Sequence, residues 1–86
     1  MNITLEELIE DIAYVAIVIT IETPIVHSDF AMKIDHIVRS DNGVYIEGDN
    51  GCSIEILEGT DIKKEKDGLI YFASRNDCNI CIKLGN

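Results

Sequence analysis

The sequence is short of basic residues. It has 7 Lys and Arg against 16 Asp and Glu, a formal net charge of −9 over 86 residues, and its first base is Lys33. Affinity for nucleic acids comes largely from Lys and Arg that neutralise phosphates, and anionic membranes attract the same side chains. The composition therefore argues against direct binding of nucleic acid and against docking on a membrane.

Cysteine is also scarce, and long apolar runs are absent. The 3 cysteines are odd in number, and no basic segment precedes the first apolar run, so neither a disulfide framework nor a secretory signal is predicted. That run, residues 12–21, is shorter than the roughly 18 residues that a membrane span requires. We expect a cytoplasmic protein.

Sequence motifs of enzymes are missing as well. There is no P-loop, glycine-rich dinucleotide motif, HExxH or complete calcium loop. His27-Ser28-Asp29 contains the residue types of a catalytic triad, but triads are assembled in space rather than from neighbours in sequence. Asp61-Ile62-Lys63 resembles part of a metal-dependent nuclease site, yet so acidic a chain would repel its substrate. We predict no enzymatic activity and no catalytic residue.

What the sequence does contain is isoleucine, a β-branched residue that favours strands. Hydrophobic residues make up 47% of the chain, enough for the core of one domain, residues 1–86. Thr4 followed by Glu7 predicts a capping box that begins an N-terminal helix. The β-branched residues from Val15 to Ile21 then predict a strand that ends before Pro24.

A meander of strands is predicted after residue 30, with turns at Asp41-Asn42-Gly43, Asp49-Asn50-Gly51 and Asp67-Gly68. Three-residue loops at the first two turns create one face that is apolar apart from His36; its residues are Ile34, His36, Val38, Val44, Ile46, Cys52, Ile54 and Ile56. A last strand is predicted over Ile80–Leu84. The predicted fold is α+β and mainly β: an antiparallel curled sheet or small barrel of about six or seven strands with one N-terminal helix.

A zinc site is predicted from the cysteines. Cys78 and Cys81 form a CxxC, whose thiolates can share one ion if the segment makes a tight turn. The predicted register places His36 opposite Gly48, and Gly48 opposite Cys52, with a gap above the glycine. His36, Cys52, Cys78 and Cys81 would then form a Cys3His structural site, with His27 as the substitute ligand. The alternative is three buried thiols and a hydrogen-bonded histidine.

The negative charge is concentrated in residues 1–57, whereas acids and bases balance in residues 58–86. This pattern predicts either a surface that attracts a basic partner or a face that keeps a small domain soluble. The partner-binding candidates are the acids before the first base: Glu6, Glu7, Glu10, Asp11, Glu22 and Asp29.

These acids, together with Cys52, Cys78 and Cys81, give the chain a resemblance to phage-encoded inhibitors of bacterial defence. The group that it resembles is the small type II anti-CRISPR proteins, which inhibit Cas9 and some of which contain metal. The likeness is one of type across the chain and not of a matched motif. It implies a stoichiometric inhibitor in the cytoplasm of a bacterial host, which binds a basic surface of Cas9 or of its guide RNA complex and blocks DNA loading.

A second function from a different class also fits these features. The chain could be a zinc-stapled structural or assembly module whose acidity serves solubility, and which associates through an apolar sheet edge or face. Binding by an acidic surface is predicted to be sensitive to salt, whereas apolar association is not.

Overall fold

The computed structural model describes residues 1–13 and 15–85. Their elements are β1 Asn2–Ile3, α1 Leu5–Ile12, β2 Ala16–Glu22, β3 His27–Ser40, β4 Gly43–Gly48, β5 Ser53–Leu57, β6 Asp61–Lys64, β7 Ile70–Arg75 and β8 Cys78–Leu84. The strands form an antiparallel curled sheet in the order β1-β6-β7-β8-β2-β3-β4-β5. The predicted mainly β fold with one N-terminal helix is confirmed, although the strands number eight rather than six or seven.

The helix α1 begins as its sequence predicts. The Thr4 side chain accepts a hydrogen bond from the Glu7 amide at 3.1 Å, and the Glu7 carboxylate accepts one in return from the Thr4 amide. This capping box satisfies amides that the first turn leaves without helical partners. Leu8 and Ile12 are fully buried on the inner side of the helix. Within the described residues, no helix has the length and apolar character needed to cross a membrane.

The core lies between α1 and the concave side of the sheet. Alternate residues of each strand point inward, so Ile17 and Ile19 of β2 meet Met32 of β3 and Ile82 of β8. The remaining core residues are Leu8, Ile12, Ile34, Val44, Ile46, Ile56, Ile62, Tyr71 and Ala73. Apart from Tyr71, which carries a hydroxyl, no polar or charged residue of the described chain is buried. Burial of apolar side chains therefore holds α1 against the sheet.

The register between β3 and β4 corrects the prediction for this part of the meander. Ile34 pairs with Gly48 but His36 pairs with Glu47, so Asp35 is an extra residue that bulges from the ladder. Ser40 then pairs with Gly43, which leaves a loop of only two residues, Asp41-Asn42. The predicted three-residue loop is wrong here because the bulge shifts the register by one residue.

The bulge reverses which side chains of β3 face the core. Ile37 pairs with the buried Ile46 and packs against the core, whereas His36 and Val38 are exposed on the outer face of the sheet. The predicted inner positions of His36 and Val38 are therefore wrong. A one-residue shift moves every following side chain to the opposite face, and this shift occurs inside the strand.

The second predicted three-residue loop is confirmed. Ile46 pairs with Ile54 and Val44 pairs with Ile56, so residues 49–51 connect β4 to β5. Gly51 has φ of +85°, a left-handed conformation that glycine adopts without steric cost. The inward positions of Val44, Ile46, Ile54 and Ile56 follow as predicted.

The β6–β7 and β7–β8 hairpins complete the sheet. The predicted register around Asp67-Gly68 is confirmed, although regular strand pairing stops at Lys64 and resumes at Ile70. Asn76-Asp77 makes a two-residue turn in which Asn76 has φ of +56°, and Arg75 pairs with Cys78 across it. The strand predicted over Ile80–Leu84 therefore begins two residues earlier, at Cys78.

Replacement of Gly43 by alanine is expected to destabilise the protein by at least ~2 kcal/mol, because the new Cβ would overlap the backbone carbonyl of Ile56 in the neighbouring strand. Gly85→Ala is the matched control, since its Cβ would lie 3.4 Å from the nearest atom, the Ala16 carbonyl oxygen, and should change stability by less than ~0.5 kcal/mol. Urea unfolding followed by circular dichroism measures both. Equal stability of the two variants would contradict the close approach of β4 and β5.

Candidate interaction surface

The acids of α1 are predominantly engaged within the chain. The Glu6 carboxylate forms an ion pair with Arg39, which also contacts Glu58 at 3.3 Å. Glu7 is committed to the capping box with Thr4. Because these carboxylates already have partners, α1 is a weaker candidate for a basic partner than its sequence suggests.

Asp11 is the most strongly engaged acid of the helix. Its Oδ2 accepts hydrogen bonds from Lys64 Nζ at 2.9 Å and from the Tyr71 hydroxyl at 2.8 Å. The bond from Lys64, followed by the bond from Tyr71, lowers the pKa of the Asp11 carboxyl. Burial of Tyr71 and, after it, the bond to Asp11 raise the pKa of the phenol. This contact ties the end of α1 to β6 and β7, so Asp11 has a structural role.

Glu22 and Asp29 lie on a different part of the molecule from α1. They flank His27 at the start of the β2–β3 hairpin, where Glu22 pairs with His27. Nδ1 of His27 lies 3.1 Å from Glu22 Oε1, and Nε2 lies 3.3 Å from Asp29 Oδ2. Thr20 Oγ1 donates a further hydrogen bond to Asp29 at 2.8 Å. The six predicted acids therefore do not form one continuous surface.

The geometry around His27 favours its protonated form. A neutral imidazole has one N–H and can donate to only one carboxylate, whereas the protonated ring can donate to both. The hydrogen bond to Asp29 and the charge of Asp29, followed by the bond to Glu22, raise the pKa of His27. The hydrogen bond from Thr20 and then the one from His27 lower the pKa of Asp29. When the ring is protonated, its charge lies between Glu22 and Asp29 and offsets part of the negative charge at this hairpin.

The predicted zinc ligands are not brought together. His36 is exposed on the outer face, while Cys52 packs against the core on the inner side. Cys78 and Cys81 lie in the regular strand β8, which directs residues three apart to opposite faces. No group of three or more His, Cys, Asp or Glu side chains among residues 1–13 and 15–85 is arranged to hold a metal ion. The four residues do not fit a Cys3His centre in this arrangement.

The gap above Gly48, on which that zinc site depends, is filled by Met32. A Cβ built on Gly48 would lie 2.5 Å from Met32 Cβ and 3.0 Å from its sulfur atom. Gly48 is therefore required for packing of β4 against β3, a role that its sequence context does not reveal. His27, the substitute ligand, begins strand β3.

The outer side of β4, β5 and residues 36–40 of β3 carries the clearest cluster of unneutralised acids. We call this surface the acidic face. Val38 lies beside Tyr45, and Tyr45 beside Glu55, in one row of cross-strand pairs. Glu47 lies between His36 and Ser53 in the next row. Asp41 and Asp49 stand in the loops at its two ends.

The acidic face combines negative charge with exposed apolar area. Val38 is 55%, Tyr45 37% and Leu57 40% exposed. Within residues 36–57, all of which are described, Arg39 is the one Lys or Arg, and it lies on the inner side of the sheet in its contacts with Glu6 and Glu58. His36 stands on the acidic face beside Glu47. Aromatic side chains surrounded by polar groups are typical of protein interfaces.

Glu47 and Glu55 are absent from the predicted partner-binding set. They alternate with inward-facing residues along β4 and β5, which indicates that their side chains point outward, and this signal is visible in the sequence. The face as a whole is not, because the bulge at Asp35 is what brings Val38 to the same side.

Comparisons with known proteins add no further constraint: no protein-family model, no curated protein and no solved structure matches the chain.

Replacement of Asp11 by lysine is expected to destabilise the protein by about 1–2 kcal/mol, because it removes two hydrogen bonds at a partly exposed site and places two ammonium groups together. Glu10→Lys makes the same charge change on the exposed side of the same helix and should alter stability by less than ~0.5 kcal/mol. Chemical denaturation compares the two. A Glu10 variant as unstable as the Asp11 variant would show that the helix responds to charge alone.

The imidazole of His27 is expected to titrate above the ordinary histidine value of about 6.5, and Asp29→Asn is expected to lower its pKa. Because the pKa of His27 is raised in the folded chain, the protonated ring stabilises the fold at pH values below the pKa of His27 in the unfolded chain. This stabilisation is lost as the pH rises through the pKa of His27 in the folded chain. NMR titration of the imidazole measures both. Asp41→Asn, in the loop that follows the far end of the 14-residue β3, is the control. If Asp29→Asn leaves the pKa of His27 unchanged, the contact with Asp29 is not the cause of the raised pKa.

Proposed function

We propose that this protein is a stoichiometric binding protein that uses its acidic face to occupy a basic, nucleic-acid-binding surface of another protein. The observation that supports this proposal is the combination of Glu47 and Glu55 with exposed Val38 and Tyr45 on one face that carries no Lys or Arg. Carboxylates without internal cationic partners attract an oppositely charged surface, and the apolar side chains between them supply area that is desolvated on contact.

The proposed partner is a protein whose basic channel otherwise holds nucleic acid. Such a channel presents Lys and Arg at spacings suited to phosphates, and carboxylates on a small rigid sheet can compete for the same side chains. The resemblance to type II anti-CRISPR proteins makes Cas9, or Cas9 with its guide RNA, the specific candidate. Binding there would prevent DNA from loading without any chemical step, in keeping with the prediction that the protein is not an enzyme.

The double substitution Glu47→Lys and Glu55→Lys is expected to weaken binding to the Cas9–guide complex at least ~10-fold, because it removes both central carboxylates and introduces repulsion. Asp61→Lys with Glu65→Lys, at exposed positions in β6 and the loop that follows it, makes the same change in net charge and should weaken binding less than ~3-fold. Isothermal titration calorimetry at two salt concentrations measures these affinities. If both double variants weaken binding equally, the effect comes from net charge and not from the acidic face.

The wider class of partner is tested by retention on the immobilised protein. Nucleic-acid-binding proteins of a bacterial lysate are expected to bind at low salt and to be displaced by excess duplex DNA. Absence of binding to Cas9 would exclude Cas9 as the partner. Retention that neither salt nor DNA reduces would contradict the proposal and favour apolar association.

A further inference from the structure

The strand β5 lies at the end of the sheet and has one free edge. It pairs with β4 and with no other strand of the described chain. The carbonyl of Cys52 accepts a hydrogen bond from the Gly48 amide, and the Glu58 amide donates to the Asn42 carbonyl. Because backbone groups alternate between the two sides of a strand, even-numbered residues bond to β4 and odd-numbered residues face away from it.

The free edge presents donors and acceptors in the pattern of an unpaired antiparallel strand. The groups that face away are the N–H and C=O of Ser53 and Glu55 and the N–H of Leu57, while the Leu57 carbonyl accepts bonds from Thr60. At the other end of the sheet, β1 has only two residues. The five-residue β5 is therefore the longer free edge, and it can pair with a further strand.

A depression of about 360 Å³ adjoins this edge on the inner side of the sheet. Its apolar lining includes Ile56 and Leu57 at the end of β5, Ala73 of β7, and Cys78 and Ile80 of β8. Glu55 and Arg75 also line it, and the Arg75 guanidinium donates a hydrogen bond to the Glu58 carbonyl. The depression is lined by residues of β5, β7, β8 and the loop after β5. No residue of β4 lines it, so it lies on the free side of β5. An apolar side chain next to Ile56 on an added strand would enter it.

A second copy of the chain is a poor occupant of the edge. An antiparallel pair of β5 strands that uses all five residues is centred on Glu55, so the two Glu55 carboxylates would stand opposite each other. Like charges at directly opposed positions destabilise a sheet, and each copy carries a formal net charge of −9. The same charges favour a strand with Lys or Arg at the position opposite Glu55.

We propose that β5 binds an extended, basic peptide segment of its partner by strand addition. Lys or Arg of the segment would face Glu55 on the outer side, and apolar residues on the inner side would lie beside Ile54 and Ile56. Glu55 Oε2 accepts a hydrogen bond from Ser40, which leaves Oε1 for the basic side chain. The inference rests on the proposed function in that the segment belongs to the basic partner.

The test uses the full chain and a blocked peptide of about seven residues that alternates valine and lysine. Backbone bonds from an added strand are expected to slow amide exchange at Ser53, Glu55 and Leu57 at least ~10-fold in NMR measurements. The control peptide has the same side chains and charge, but its lysine backbone nitrogens are methylated. Those nitrogens would face β5, so the control should bind at least ~10-fold more weakly.

A matched pair of protein variants tests the same edge from the other side. Ser53→Pro removes an N–H that faces away from β4 and should weaken binding of the alternating peptide at least ~10-fold, because an edge strand tolerates proline at such a position. Ser53→Ala keeps the N–H and should change the affinity less than ~2-fold. Circular dichroism establishes that both variants fold, and the methylated peptide decides the matter if the proline variant does not.

The possible outcomes separate this inference from the proposed function. Equal affinity for the two peptides, or protection at residues outside β5, would overturn strand addition. If salt-dependent binding to the basic partner persists in that case, the proposed function of the acidic face is retained. Protection of β5 by peptide without binding to any basic protein would instead overturn the proposed function. Dimers with a protected β5 and no peptide would show that a second copy occupies the edge and would overturn the inference.

Discussion

The extra residue at Asp35 in β3 is the feature on which the arrangement of surfaces depends. Up to Ile34 the strand pairs in one register with β4, and from His36 onward it pairs in the next. A single inserted residue exchanges the inner and outer faces of the rest of the strand. Ile37 joins the core as a result, and His36 and Val38 are presented to solvent.

The same inversion determines how the charges are distributed. It directs Arg39 to the inner side, where it meets Glu6 of α1, and it leaves the acidic face without a Lys or Arg; Lys33, ahead of the bulge, is the exposed lysine of β3 that lies nearest to it. The acids of the helix are thus partly neutralised, whereas Glu47 and Glu55 are not. A net charge of −9 alone would not distinguish these two surfaces, because the distinction arises from which acids find a cationic partner inside the fold.

Local signals in the sequence predicted the elements well. Thr4 and Glu7 mark the helix start, Gly51 marks a left-handed turn position, and alternation in β4 and β5 identifies the inner residues. The bulge at Asp35 has no local signal in the sequence. Near it, Met32 of β3 packs against Gly48 of β4, a contact between strands that local patterns do not show. The four ligands of the predicted Cys3His site lie apart for two reasons: the bulge turns His36 to the outer face, and the strand β8 stands where the site required a turn at Cys78.

The acidic face and the free edge meet at Glu55, and this coincidence gives one residue two opposite effects. Its carboxylate disfavours pairing of β5 with another copy of the chain, which would place like charges together. It favours pairing with a basic strand, whose backbone can use the free groups of Ser53 and Glu55 and whose charge the acidic face attracts. In the proposed strand addition, the charge beside the unpaired edge discriminates among the strands that could bind, which makes the edge selective rather than generally adhesive.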